Sequence, residues 1–321
     1  MRTFILVMAC LLFTIRMYSQ APQIEYYNYV NYGEYLKLTG NYPKAYGMYK
    51  KAFAVKAHQH AKDYLAAAST AFRLGYDDTA LYYLKQASQL PIGFNEYIIE
   101  TDTFLYLTLI GHPEWKKTFC NLQVENDKIR DKYMDSAMRY KQQMILQLSD
   151  SDQYFNRLRA QYLALPEDTP FRKQAEKEDS LFYERYYSYI KKNGYPGFWV
   201  TNTDQLLSIN VHILAGEQGR RFKQLLMQEC EKGNMLVYEL TDFLDRNEFL
   251  IKKECGLGGP YTVTAGLCNA ERDWESIVKT RLQYGVSPFL LEPRRAFNKE
   301  MNVSKLVKYI DFNKLDQWYK E

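Results

Sequence analysis

Apolar residues recur along this chain at the spacing of helices, and the alternation typical of strands is almost absent. Over 129–148 they fall at positions 129, 133, 137, 140, 144 and 148, which lie on one face of a helix. Residues 171–192 predict another helix, ended by Gly194. Only 260–263 suits an extended conformation. The pattern as a whole predicts an all-α fold.

Two segments near the N-terminus repeat each other at an offset of 35 residues. The aligned pairs agree in size or type, and they are Gly40 with Gly75, Ala45 with Ala80, Tyr49 with Leu84, and Ala52 with Ala87. Self-similarity at a period of this length indicates stacked supersecondary units. The repeat therefore predicts an array of helical hairpins.

Small residues occupy the positions where such hairpins need them. Gly33 allows the two helices of a hairpin to approach closely. Gly40 and Gly75 end the first helix of each hairpin, where a positive φ favours glycine. Ala45 and Ala80 then keep the second helix of each hairpin close to the first.

The first repeat resembles the tetratricopeptide consensus of large, small, turn and aromatic positions, carried here by Tyr29, Tyr32, Gly33, Leu36, Gly40, Tyr42, Ala45, Tyr49 and Ala52. The resemblance implies an array over 20–122. A third unit is degenerate: Gly111 and Pro113 keep its turn, but Lys116 replaces a small residue. We expect this unit to cap the array, because about three repeats are needed for stability.

Tetratricopeptide repeats bind peptides or partner proteins in a groove made by the first helix of each hairpin. Carried over position by position, the groove residues are Tyr27, Val30, Glu34, Lys37, Lys62, Leu65, Ser69, Phe72 and Arg73. Members that grip a C-terminal carboxylate use a lysine and asparagines where this chain has Val30, Glu34 and Ala66. The resemblance thus implies protein or peptide binding, or assembly, without that specificity.

The remainder, 123–321, is expected to form a helical C-terminal domain, with further helices over 205–215, 220–231 and 235–251. It resembles an uncharacterised bacterial domain family often found in exported proteins. The residues that carry this resemblance are Asp152, Gln153, Arg157, Asn193, Gly194, Tyr195, Pro196, His212, Asp245, Arg246 and Tyr261. It implies a helical fold and no established activity.

The N-terminus has the pattern of an export signal. Arg2 precedes an apolar run over 4–15, Arg16 ends the run, and Ser19 permits cleavage. A run of 12 residues is shorter than the roughly 20 that span a bilayer. We therefore predict a signal peptide over 1–19 and a periplasmic or secreted protein. The alternative is a lipoprotein lipidated at Cys10, which is the one case in which membrane association is expected.

Net charge bears on the kind of partner, and cysteine content bears on possible disulfides. Removal of Arg2 and Arg16 lowers the formal charge from +4 to +2, and no basic block suggests nucleic acid. Four cysteines remain, Cys120, Cys230, Cys255 and Cys268, and export permits disulfides among them. Their pairing stays open at this point, with Cys255 and Cys268 the first candidate pair.

Two alternatives to protein binding depend on the C-terminal part. Tyr195, Phe198 and Trp199 cluster in a loop and are suited to stacking on a glycan. His212, Asp245 and Arg246 include a base and charge partners for a hydrolase-like site. No nucleophile elbow, metal-ligand spacing or phosphate loop accompanies them, so no cofactor is predicted. The sequence favours a binding protein over an enzyme.

Overall fold

The computed structural model describes residues 22–100, 102–197, 209, 217–236, 239–240 and 243–244. Within these ranges the chain forms helices and no strand, which confirms the all-α prediction. The signal segment 1–19, and with it Cys10, lies outside the described residues. So does 260–263, where an extended stretch was expected.

Two helical hairpins begin the fold. Helices α1 (Pro22–Leu38) and α2 (Tyr42–Ala54) form the first, and α3 (Ala61–Arg73) and α4 (Asp77–Ser88) form the second. The side chain of Asn41 accepts a hydrogen bond from the backbone N of Lys44 and so caps the start of α2. Gly40 and Gly75 have φ of 78° and 72°, as the turn chemistry predicts.

The small residues of the repeat lie where helices meet. A Cβ atom on Gly33 would lie 3.1 Å from Cζ of Tyr49, so a larger residue would push the two helices apart. Ala45, Ala52, Ala80 and Ala87 are fully buried. The register drawn from the sequence is confirmed at these positions.

A third hairpin follows with an interrupted first helix. Its parts are α5 (Glu96–Glu100), α6 (Thr103–Gly111) and α7 (Pro113–Tyr133), in which Pro113 opens α7. Helix α6 packs against α3, and α7 packs against α4, so the third unit stacks on the second. Asp102 caps α6 by accepting a 3.0 Å hydrogen bond from the backbone N of Leu105. Helix α7 runs through residue 123 without a break.

The single helix predicted over 129–148 is wrong. Helix α7 ends at Tyr133, and α8 (Ser136–Tyr162) starts after a break at Met134 and Asp135. The Asp135 side chain accepts a 2.8 Å hydrogen bond from the backbone N of Met138, which caps a new helix at that point. The apolar spacing continues across the break, because such spacing shows which face of a helix is buried and not where a capping residue starts a new helix.

Helix α9 (Pro170–Asn193) agrees with its prediction, and Gly194 follows it with φ of 80°. Helix α10 (Glu217–Glu231) begins three residues earlier than expected. Of the two other predicted C-terminal helices, over 205–215 and 235–251, the described residues 209, 239, 240, 243 and 244 are helical. Residues 235 and 236 are described and not helical, so the second helix does not begin at 235 as predicted. Cys120 is exposed on α7, Cys230 is buried on α10, and both thiols are free. Cys255 and Cys268 lie outside the described residues.

Two hydrophobic cores organise the helices. One fills the hairpins from Tyr32 to Leu122, and the other joins α8, α9 and α10. The second core also contains Tyr26, Tyr27 and Val30 of α1. The start of the array is therefore packed against the C-terminal helices. None of the helices in the described part is both long and apolar enough to cross a membrane.

Candidate functional site

The groove residues predicted from the sequence lie on α1 and α3, and we call the surface that they form the inner face. Its members are Tyr27, Val30, Glu34, Lys37, Lys62, Leu65, Ser69, Phe72 and Arg73. The structure divides this face into a covered end, a polar middle and an exposed end, each with its own chemistry.

The covered end lies under the C-terminal helices. Tyr27 and Val30 are buried in the core that also holds Phe222, Leu226 and Cys230 of α10. The turn after α10 closes the contact, because a Cβ atom on Gly233 would lie only 2.3 Å from Cβ of His58. This end of the inner face already holds a helix of the same chain.

Behind this contact lies a buried polar network, which we call the seam. A 2.8 Å hydrogen bond joins the Tyr27 hydroxyl and Nε2 of His60, and Tyr26 donates a 2.7 Å bond to Asp63. Gln23 pairs with the backbone of His58 through bonds of 2.8 and 2.9 Å. The seam thus ties α1 to the loop that enters α3.

Burial sets the protonation of the seam. It holds the pKa of His60 well below its usual value, and the nearby His58 and Lys62 lower that pKa further. Burial also raises the pKa of Asp63, although Lys62 and the Tyr26 hydrogen bond lower it in part. The network therefore favours a neutral His60.

The polar middle is built from residues of all three hairpins. Nζ of Lys37 lies 3.1 Å from a Glu34 carboxylate oxygen and 3.4 Å from Asp102. Tyr49 donates a hydrogen bond to Glu34, and Ser69 is fully buried. The pKa of Asp102 is lowered: burial raises it, but Lys37, Ser69 and the Leu105 backbone outweigh burial. Hydrogen bonds and ion pairs thus connect Glu34, Lys37, Tyr49 and Asp102, which stabilises the junction of the three hairpins.

The exposed end presents aromatic and cationic groups. The Phe72 ring meets the Trp115 ring edge-on at 4.8 Å between centroids. The exposed Arg73 guanidinium lies 3.8 Å from the Phe104 ring centroid and donates a 3.1 Å hydrogen bond to the Tyr42 hydroxyl. The guanidinium also lies 5.0 Å from the Tyr42 ring centroid, so two rings hold this cation at the exposed end.

A separate cluster lies in the C-terminal core. Arg159 donates two hydrogen bonds, of 2.9 and 2.7 Å, to the carboxylate of Asp179, and a third of 2.9 Å to the Tyr183 hydroxyl. Tyr162 also donates to Asp179 at 2.9 Å. The cluster borders a cavity of about 360 Å³ that reaches Gln218. Because every charge in it is paired, we assign this cluster to stability.

The alternative site residues are only partly described. Tyr195 is 1% exposed, and its backbone N donates a 2.7 Å hydrogen bond to Glu229, so its ring lies in the core. The backbone at Gly194 lies close to the Asn234 side chain, since a Cβ atom at this position would lie 3.1 Å from Nδ2 of Asn234. Phe198, Trp199, His212, Asp245 and Arg246 lie outside the described residues. No group of metal-ligating side chains is present among the residues that are described.

Sequence reasoning missed several residues of these clusters. Asp102 follows the short α5 and gave no repeat signal, although an aspartate before an apolar run is a recognisable cap. His60 and Asp63 lie at the start of the second hairpin, Asp179 lies within the helix predicted over 171–192, and the sequence pattern gave none of them a role. A polar residue at an interior helix position signals a buried polar contact, but it does not identify the residue that makes the contact.

The fold and these clusters define an all-α protein of stacked helical hairpins joined to a helical C-terminal core. No protein-family model, no curated protein and no solved structure matches the chain.

Proposed function

We propose that this chain is a tetratricopeptide-like protein that binds a protein or peptide partner through the inner face of its hairpins. The observation that carries the proposal is the packing of α10 against Tyr27 and Val30. A surface that accommodates a helix of its own chain has the shape and apolar character that a partner helix requires.

The exposed end of the same face is the part open to a partner. Arg73 is exposed, and Phe72 and Trp115 are half-buried beside it. Arginine and aromatic side chains are enriched among the residues that dominate binding energy. We expect a partner segment that offers an apolar side chain to Phe72 and a carboxylate to Arg73.

Photo-crosslinking from the native envelope tests the proposal. A photoreactive residue at position 73 should capture a discrete partner, and the same residue at position 85 on α4 should not. The double variant F72A/R73A should then lose the partner, and Y82A/K85A should keep it. Tyr82 and Lys85 form a matched control, because both are exposed on the second helix of the same hairpin.

Thermal unfolding of both double variants separates binding from folding, since Arg73 also contacts Tyr42 and Phe104. Equal capture from positions 73 and 85 would remove the support for the inner face. So would an unchanged partner set in a folded F72A/R73A protein.

We also propose that the chain is exported, on the strength of the segment 1–19. Mass spectrometry of the native protein should find an N-terminus near Gln20. An intact Met1 in a cytoplasmic fraction would contradict export, and a diacylglyceryl group on Cys10 would indicate the lipoprotein form.

A further inference from the structure

A buried histidine lies next to the contact between α10 and the first hairpin. His60 is 2% exposed and lies at the seam, where its ring stacks on the Tyr27 ring at 5.9 Å between centroids. Tyr27 in turn belongs to the core that contains Phe222, Leu226 and Cys230 of α10. One hydrogen-bonded residue therefore separates the His60 imidazole from the docked helix.

The surroundings of His60 oppose a positive charge. His60 is the residue that precedes α3, so it lies at the positive end of that helix dipole. The His58 ring is 4.8 Å away and becomes a second cation in acid. The titratable or charged groups that face the seam are Tyr26 and Tyr27 of α1, His58 of the loop, Lys62 and Asp63 of α3, Cys230 of α10, and Glu239.

The titration of Asp63 changes the stability of the seam in the opposite direction from the titration of His60. Its pKa is raised mainly by burial, so its own titration stabilises the folded seam as the pH falls. Its carboxylate is already engaged by the Tyr26 hydroxyl. Burial is the main cause of the lowered pKa of His60, and His58 and Lys62 lower it further. The docked state therefore loses stability as the pH falls below the ordinary histidine pKa of about 6.5.

We propose that protonation of His60 releases α10 and the turn at Gly233 from the first hairpin, so that mild acid uncovers the closed end of the inner face. Tyr27 and Val30 become accessible in the released state, and the second core opens on that side. The consequence for partner binding rests on the proposed function, but the release itself is a property of the chain alone.

Cys230 provides a direct readout of release. Its thiol is buried in the docked state, and burial raises its pKa well above the usual value. Cys120 is exposed on α7 and serves as the internal reference for the chemistry of the reagent. The experiment measures the rates at which 4,4′-dithiodipyridine modifies Cys230 and Cys120 in the full chain. Peptide mapping distinguishes these two cysteines from the others.

In the wild type, the rate of Cys230 modification relative to that of Cys120 should rise as the pH is lowered from about 7.5 to about 5. The rise should reach up to about 30-fold, because a released histidine of pKa about 6.5 is almost fully protonated at the lower pH. The variant H60Q retains a hydrogen-bonding group for Tyr27 and should lose most of this rise. The matched control H58Q should retain most of it. G233A should expose Cys230 already at neutral pH, because the new methyl group meets His58 and the positive φ of 78° disfavours alanine.

A wild-type ratio that does not change with pH would overturn the proposal, and so would a folded H60Q protein that responds like the wild type. If H60Q does not fold, an NMR titration of the wild type decides. The His60 imidazole must then titrate in step with the exposure of Cys230, and titration without exposure would contradict release. No partner is present in these measurements, so a failed crosslinking experiment leaves them unaffected.

Discussion

The hydroxyl of Tyr26 donates a 2.7 Å hydrogen bond to the carboxylate of Asp63, and both residues are buried. Tyr26 lies on α1 and Asp63 on α3, so the bond joins the first helices of two successive hairpins. A buried carboxylate without a donor is costly, which makes this contact a condition for stacking the two hairpins.

Replacing Tyr26 with phenylalanine should therefore lower the free energy of unfolding by about 1–3 kcal/mol, the usual cost of an unsatisfied buried group. The pKa of Asp63 should rise further, because the phenol bond lowers it now. Y49F is the matched control: it removes a phenol of the same burial whose partner, Glu34, is 37% exposed and also pairs with Lys37. Chemical denaturation should rank Y26F as the more damaging of the two, and the reverse ranking would contradict this assignment.

The small residues of the repeat make a second prediction. Ala45 and Ala80 have no exposed surface, so leucine at either position should overpack its hairpin and cost about 1–3 kcal/mol. Leucine in place of the exposed Ala160 on α8 tests whether the substitution itself is harmful in a helix. Melting temperatures of the three variants measure the effect. Equal melting temperatures for A45L, A80L and A160L would show that the hairpin register is drawn incorrectly.

The repeat part of the fold was predictable because its signal is local and periodic. Gly40 and Gly75 fix turns, and Ala45 and Ala80 fix a helix crossing, all within one hairpin. The break at Asp135 was missed for a related reason. Apolar spacing reports which face is buried, whereas a helix start depends on one capping side chain.

The covered end of the inner face was not predictable in the same way. Tyr27 and Val30 occupy repeat positions that line the groove in the tetratricopeptide pattern. Only the tertiary fold brings α10 onto them. The core that they share with Phe222 joins positions almost 200 residues apart in sequence, and no local pattern encodes such a pairing. The seam at His60 is also a tertiary contact, since its members come from α1, from α3 and from the loop between α2 and α3.

Breaking the buried ion pair between Arg159 and Asp179 should destabilise the protein far more than breaking an exposed ion pair between neighbouring helices. Methionine at position 159 leaves Asp179 buried without its cation, and we expect a loss of about 3–5 kcal/mol. Arg221 and Glu184 form an exposed bidentate pair, so methionine at position 221 should cost much less, because solvent screens exposed ion pairs. Chemical denaturation of both variants checks the contrast, and similar losses would mean that the Arg159 cluster does not stabilise the C-terminal core.

The last prediction concerns the acid response of the polar middle. The pKa of Asp102 is lowered in the folded protein, so this carboxylate stabilises the fold above its ordinary pKa of about 3.9 and loses that contribution as the pH falls through the lowered value. Lys37 supplies a large part of the shift, because its Nζ lies 3.4 Å from the carboxylate. K37M should therefore raise the pKa of Asp102 and start the acid loss at a higher pH, whereas D102N should remove this part of the acid loss. A carbon-detected NMR titration of the side-chain carboxyl groups measures the first effect directly, with K85M as a control that removes a lysine on α4. An Asp102 pKa that is equally unmoved by K37M and K85M would show that burial and the Leu105 cap, rather than Lys37, set the charge at the junction of the three hairpins.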